Sequence, residues 1–300
     1  MISDCFRKIA LVMMAIFALA TVDAAAAAKE NKPKEIDAAI FLAPFNDSLS
    51  IEAGSIEVRF CLNYSFDENL RPESSRCTPF IFLKIYNKDG SLLSEKDESE
   101  PFLFSSQQNR GANSISFGTQ YYYMKKNVPP PNDKRFGIGI AGDKEKGPWL
   151  LENEWHSIAA TWKVEKDGLH AEMFLDGKPQ SSRIFPIKES NTRPFSKDDL
   201  IGIGGLNLSP VTILSYRISK RVRTNDEIAS KNPLKPDDAT TFFLDGETAA
   251  KCGKYDAKEF GKMNKKGQID TGKNGAFFGK FKIVTTPDGK AIQFYEKLSR

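Results

Sequence analysis

The sequence predicts an all-β protein, an antiparallel sandwich of two sheets with one short helix. Three observations carry this. Residues 155–177 are two apolar-alternating runs joined by a turn ending Asp167-Gly168 and closed by a second pair, Asp176-Gly177. Residues 55–64 alternate in the same way. A period of two bounded by turn residues marks antiparallel strands with one face in a core. Sixteen prolines, 21 glycines and 22 phenylalanines favour strands and turns over helices, and 300 residues suit one large sandwich.

In chain order, Arg7 and Lys8 precede an apolar run, Ile9 to Ala20, and a small-residue run, Ala24 to Ala28. That order of regions predicts a signal peptide over residues 1–28, cleaved between Ala24 and Lys29. The run is shorter than the roughly 20 residues of a membrane span, and no later segment is apolar enough for one. The expected location is secreted or periplasmic. Cleavage removes Cys5 and leaves Cys61, Cys77 and Cys252. Cys61 and Cys77 flank a short loop and are the preferred disulfide pair; three thiols that never pair is the alternative.

The strands expected next are Ala38–Phe45, Ser55–Tyr64, Pro79–Tyr86, Ser114–Met124 and Arg135–Ala141. In the second, Ile56, Val58, Phe60, Leu62 and Tyr64 share one face, and Glu57, Arg59, Cys61 and Asn63 the other. The prolines of VPPPND (128–133) keep that segment out of any ladder. In the central hairpin Ile158, Ala160 and Trp162 pair in phase with Leu169, Ala171, Met173 and Leu175, which predicts Trp162 and Met173 in the core. Gln180 to Asp199 reads as a polar stretch, followed by strands Asp199–Gly204 and Thr212–Ile218. Thr224 with Glu227 fits a capping box that opens a helical turn through Ile228 and Ala229. Beyond Pro236 come strands at Thr240–Gly246, Phe277–Val284 and Gly289–Phe294.

WHSIAATW (155–162) followed by LHAEMFLDGK (169–178) resembles the central hairpin of laminin G-like domains. GSIE (54–57) is similar to the strand that starts the body of those domains, and LSYRISKRVRTNDEI (214–228) to their closing segment, with Ser215 in place of the usual acidic residue. The resemblance covers residues 54–230 and implies a concanavalin A-like jelly-roll sandwich over 36–235. TTFFLDG (240–246) and GKAIQF (289–294) resemble the family's opening strands, one of which is missing from its usual place. The tail, 236–300, is therefore expected to complete the same sandwich in a permuted-like order.

This fold carries lectins, adhesion modules and hydrolases, so function rests on the site. Glu95, Asp97 and Glu100 spell the E-x-D-x-x-E of laminarinase-type hydrolases, which need two carboxyls about 5–5.5 Å apart on a rigid strand. Here Lys96, Glu98 and Ser99 occupy the intervening positions that those enzymes fill with apolar residues, so the set reads as solvated loop charges. Glu152 and Glu154 read as loop residues. His156 and His170 are the only histidines and lie in different strands, and no cysteine pair has metal-ligand spacing. Neither a G-x-S-x-G nucleophile nor a phosphate loop occurs. The expectation is a non-enzyme without a cofactor; calcium alone is left open, with Asn132, Asp133 and Asp143 as donors.

For ligand binding the candidates are Tyr121 and Tyr123, whose rings can stack on sugars or anchor a protein, with Arg59 and Asn63 supplying polar contacts. Residues 251–300 carry twelve basic and five acidic side chains, against +4 for the whole chain. The lysines are interleaved with strand-like residues, which reads as a solvated sheet face rather than a nucleic-acid surface. The expected partner is a polysaccharide or cell-surface glycan, the alternatives being a cell-surface protein and, further off, hydrolysis of a glycan.

Overall fold

A computed structural model describes residues 38–50, 52–63, 80–86, 88, 100–109, 112–120, 137–143, 150, 153–185, 197–206, 210–229, 234–257, 259–260 and 269–294. The segment 1–28, expected to be a signal peptide, lies outside them; Asp37–Arg300 groups as one compact unit.

Among the described residues, sixteen strands form two sheets. The first half of the chain supplies β1 (Ala38–Pro44), β2 (Ala53–Leu62), β3 (Phe80–Tyr86), β4 (Glu100–Asn109), β5 (Ala112–Gln120) and β6 (Gly137–Asp143). Next come β7 (Trp155–Glu165), β8 (Gly168–Leu175), β9 (Lys178–Phe185), β10 (Leu200–Leu206) and β11 (Val211–Ser219). After helix α1 (Asn225–Ala229) follow β12 (Thr240–Asp245), helix α2 (Gly246–Ala249), β13 (Gly253–Tyr255), β14 (Ala276–Gly279), β15 (Phe281–Thr286) and β16 (Gly289–Phe294). The first sheet runs β13-β14-β1-β10-β3-β4-β5-β6 and the second β15-β16-β11-β2-β7-β8-β9. All pairs are antiparallel except β13 with β14. The two sheets make a jelly-roll sandwich.

Strands from the end of the chain lie beside strands from its start. β14 pairs with β1 from Leu42↔Ala276 to Ala39↔Gly279. One edge of β11 is shared: β16 takes Val211–Ile213 and β12 takes Ser215–Ser219. β2 occupies the whole of the other edge.

Aromatic side chains tie the layers. Phe60 of the second sheet meets Phe82 of the first at 5.0 Å between ring centroids, and Trp162 meets Phe117 at 5.3 Å. Phe82, Phe104 and Phe117 continue the contact along the first sheet. The in-phase positions of the hairpin are buried: Ile158, Ala160, Trp162, Leu169, Ala171, Met173 and Leu175. Trp162 lies flat on Gly54, where any Cβ would stand 2.3 Å from its ring, so only glycine fits at that position.

Four sequence expectations are corrected. The run 277–284 is two strands in opposite sheets, because Gly279, at φ +88°, turns the chain across the sandwich. The polar stretch from Gln180 begins inside β9, an edge strand whose side chains are mostly exposed. Glu100 opens a strand, β4, rather than ending a loop. A second helix, α2, follows β12, capped by the Asp245 carboxylate, which accepts from the Thr248 N–H at 2.7 Å.

Tyr216 is fully buried edge-on to Phe242, yet its hydroxyl has no hydrogen-bond partner among the described residues. Burial pushes its pKa far above the ordinary phenol range. An unsatisfied buried polar group costs about 1–3 kcal/mol. Tyr216→Phe should therefore stabilise the protein by about 1 kcal/mol, raising Tm by about 2–4 °C in a calorimetric scan.

Candidate functional site

The outer face of the second sheet holds two of the sequence candidates, and the chain itself occupies it. Pairing sets Glu57 opposite Arg217. Arg217 donates to the Glu57 carboxylate through Nε at 2.7 Å and Nη2 at 2.8 Å, and through Nη1 to the Lys235 carbonyl at 2.7 Å. Arg223, almost wholly buried, donates to Ser219 Oγ at 2.8 Å and to Asp237 Oδ1 at 2.7 Å. Residues 220–229 and 234–237 are thereby pinned across the sheet, with Ile228 of α1 packed on Ala159 and Phe174. The Thr224–Glu227 capping box is present. Hydrogen bonds from Arg223 hold Asp237, and from Arg221 hold Glu227, well below the usual carboxylate range.

Arg59 points out of this face, with Nη2 3.5 Å from Asp288 Oδ2 at the β15–β16 turn. Asn63 donates through Nδ2 to Thr212 Oγ1 at 2.8 Å and accepts from the same hydroxyl, which ties β2 to β11. The depression beside Arg59, lined also by Glu57, Ser157, Ala159, Ile228 and Leu234, encloses about 10 Å³. That is about one water, not a sugar ring.

His156 is buried with Nδ1 3.0 Å from Asp176 Oδ2, and Asp176 also accepts from the Ser157 N–H at 2.8 Å. Burial pushes the Asp176 carboxyl up, but these hydrogen bonds and the nearby His156 and Arg59 bring it below the ordinary value. The contact fixes the β8–β9 turn against β7.

On the first sheet, the outward side chains Ile40, Leu42, Tyr86, Leu200 and Phe278 are covered by Ile269 and Phe260. Further along the same sheet lie β4, β5 and β6. Phe104, Ile115, Phe117, Ile138 and Ile140 are buried, which turns the described alternate residues Ser105, Ser116 and Gly139 outward. Ser105 pairs with Ser116 and Ser116 with Gly139. Ser116 and Gly139 are exposed and Ser105 is half-buried. The three positions carry two hydroxyls and a glycine.

No protein-family model and no curated protein matches the sequence. Solved structures that resemble it include the native heptameric SAP-like pentraxin of Limulus polyphemus, 10% identical over 72% of this chain and 87% of that one, with a TM-score of 0.41. The Ruminococcus gnavus IT-sialidase CBM40 is 12% identical over 60% of this chain and 82% of its own, with a TM-score of 0.34. The alginate lyase AlyC3 in complex with dimannuronate is also 12% identical, over 58% and 65%, with a TM-score of 0.32. Likeness at this level transfers no ligand or activity.

Tyr121, Tyr123, Asn132, Asp133, Cys77, Glu95, Asp97 and Glu152 lie outside the described residues. Tyr121 and Tyr123 follow in sequence directly from Gln120, the end of β5, so the strand that leads to them is in the sheet opposite Arg59 and Asn63. Glu100 and Asp143 are terminal residues of β4 and β6. Glu154 is exposed. Cys61 is buried, with Sγ 3.6 Å from the Leu62 carbonyl. Among the described residues, no helix is long and apolar enough to cross a membrane.

The sequence reading missed one cluster. At the β7–β8 turn, His170 Nε2 lies 2.7 Å from Asp167 Oδ1 and 3.9 Å from Glu165 Oε2. Lys163 Nζ donates to Glu165 Oε1 at 2.8 Å, and that hydrogen bond and charge hold Glu165 below its ordinary value. The spacing E-x-D-x-x-H is a signal only once the turn is seen to fold His170 back over Asp167.

Proposed function

We propose that the chain is a non-catalytic carbohydrate-binding module of the laminin G-like, concanavalin A-like type, exported and acting on a polysaccharide or cell-surface glycan. The observation that carries this reading is the exposed pair Ser116 and Gly139, in register with Ser105, on the outer side of β4, β5 and β6. Segments of the chain cover the middle of the second sheet and the β14-β1-β10 part of the first, whereas Ser116 and Gly139 remain exposed. A row of hydroxyl and glycine positions presents a sugar chain with hydrogen-bonding groups and no bulky side chain of its own. The same strand leads to Tyr121 and Tyr123, whose rings would supply stacking at its end. Arg59 and Asn63 are engaged with Asp288 and Thr212, so their part is to hold the scaffold.

Ser116→Trp tests this by raising a bulky ring from the middle of the face. On a glycan array, wild type should bind a defined set of glycans and the variant should lose them with Tm unchanged. A protein that binds no glycan, yet captures a single cell-surface protein, overturns the carbohydrate reading.

A further inference from the structure

We propose that Glu165, Asp167 and His170 form a divalent transition-metal site at the β7–β8 turn, with Zn²⁺ as the cation tested first. The three side chains each offer one ligand atom, and these atoms lie within 4.8 Å of one another. The imidazole nitrogen separates the set from ordinary surface carboxylates, because one nitrogen and two oxygens select borderline cations such as Zn²⁺ over Ca²⁺ or Mg²⁺. A tetrahedral shell with bonds of about 2.0–2.1 Å needs ligand atoms about 3.3 Å apart. Nε2 stands 2.7 Å from one oxygen and 3.9 Å from the other. Opening the first gap and closing the second takes shifts of roughly half an ångström each, and the two carboxylate oxygens, within 4.8 Å of each other, must come to the same spacing.

The backbone holds the donors in place. Glu165 pairs with Gly168 across the turn, and His170 pairs with Lys163 on β7 and Ile184 on β9. Three protein ligands leave the fourth position to water or to an outside donor. Without metal the His170–Asp167 hydrogen bond accounts for part of the geometry, and Lys163 neutralises Glu165. Lys163 is thus a built-in competitor of the cation. The site is independent of the Ser105–Ser116–Gly139 row on the other sheet and stands or falls separately from the glycan reading.

The test is calorimetric titration of ZnCl₂ into the untagged protein, since a histidine tag would itself bind zinc. Wild type should bind one equivalent. His170→Ala should weaken that binding by at least about tenfold, and Lys163→Ala should tighten it severalfold by freeing both Glu165 oxygens. His156, the only other histidine, is buried against Asp176, so His156→Asn should leave the isotherm unchanged. Absence of stoichiometric binding overturns the proposal, as does binding that survives His170→Ala or that Lys163→Ala does not strengthen.

Discussion

Cutting the chain after Pro236 should abolish folding: the shortened protein is expected in the insoluble fraction, or, where recovered, without a cooperative melt. The removed strands enter both sheets. β14 forms one edge of β1, and β12 with β16 form one edge of β11. Leu244, Ile269, Phe277, Phe278, Ile292 and Phe294, all buried, leave with them. At about 1.5–3 kcal/mol for each fully buried large side chain, the loss is on the order of 10 kcal/mol or more. That equals the whole stability of a typical domain, about 5–15 kcal/mol. The cut would also bare Phe41 and leave two strand edges unpaired, an invitation to aggregation. A soluble 1–236 chain with an unchanged Tm would make the tail an appendage.

Trp162→Ala should destabilise the protein by about 3–5 kcal/mol, the range for large aromatic truncations in a packed core. Trp162 is 1% exposed and touches both layers through Phe117 and Gly54. Its Nε1–H donates to the Ser50 carbonyl at 2.8 Å, so the variant loses a hydrogen bond as well as packing. Space shaped to an indole against a glycine cannot close around a methyl group. Urea denaturation should show a lower midpoint at unchanged slope; a midpoint within error of wild type would mean that the hairpin is not the centre of the core.

Where apolar residues alternate, the sequence revealed the strands. β2, β7 and β8 each place apolar residues at every second position, and those residues are buried, although Ser55, Glu57 and Thr161 between them are buried as well. The elements that escaped are those whose environment breaks the period. β9 is an edge strand with one fully buried side chain, Phe185, so nothing in KPQSSRIF had to alternate. β4 follows a dense run of charges and closes with SSQQN, which masked the apolar Phe102-Leu103-Phe104 between them. β14 and β15 read as one run because each has apolar residues on the same parity, while their division depends on the conformation of Gly279 alone. The candidate site was less legible. Arg59 and Asn63 carry the right chemistry for a ligand, but which polar groups are already satisfied depends on Asp288 and Thr212, distant in sequence. Ser105, Ser116 and Gly139 are a serine and glycine row, whose meaning appears only when neighbouring faces prove to be covered.

The shared edge of β11 and the flanking of β1 by β10 and β14 also set a timetable. Leu42 waits for Ala276, and Val211 waits for Phe294. At about 5–20 residues per second, a ribosome takes about 10–50 s to deliver β14 after β1. Throughout that interval the first sheet lacks an edge and the core lacks Phe277 and Phe294. Contacts of such long range also slow the final search, since chain closure must precede their reward. The nascent chain therefore spends most of its synthesis without a native state to fall into. Holdase chaperones, or any machinery that threads an unfolded polypeptide, would meet it in that form.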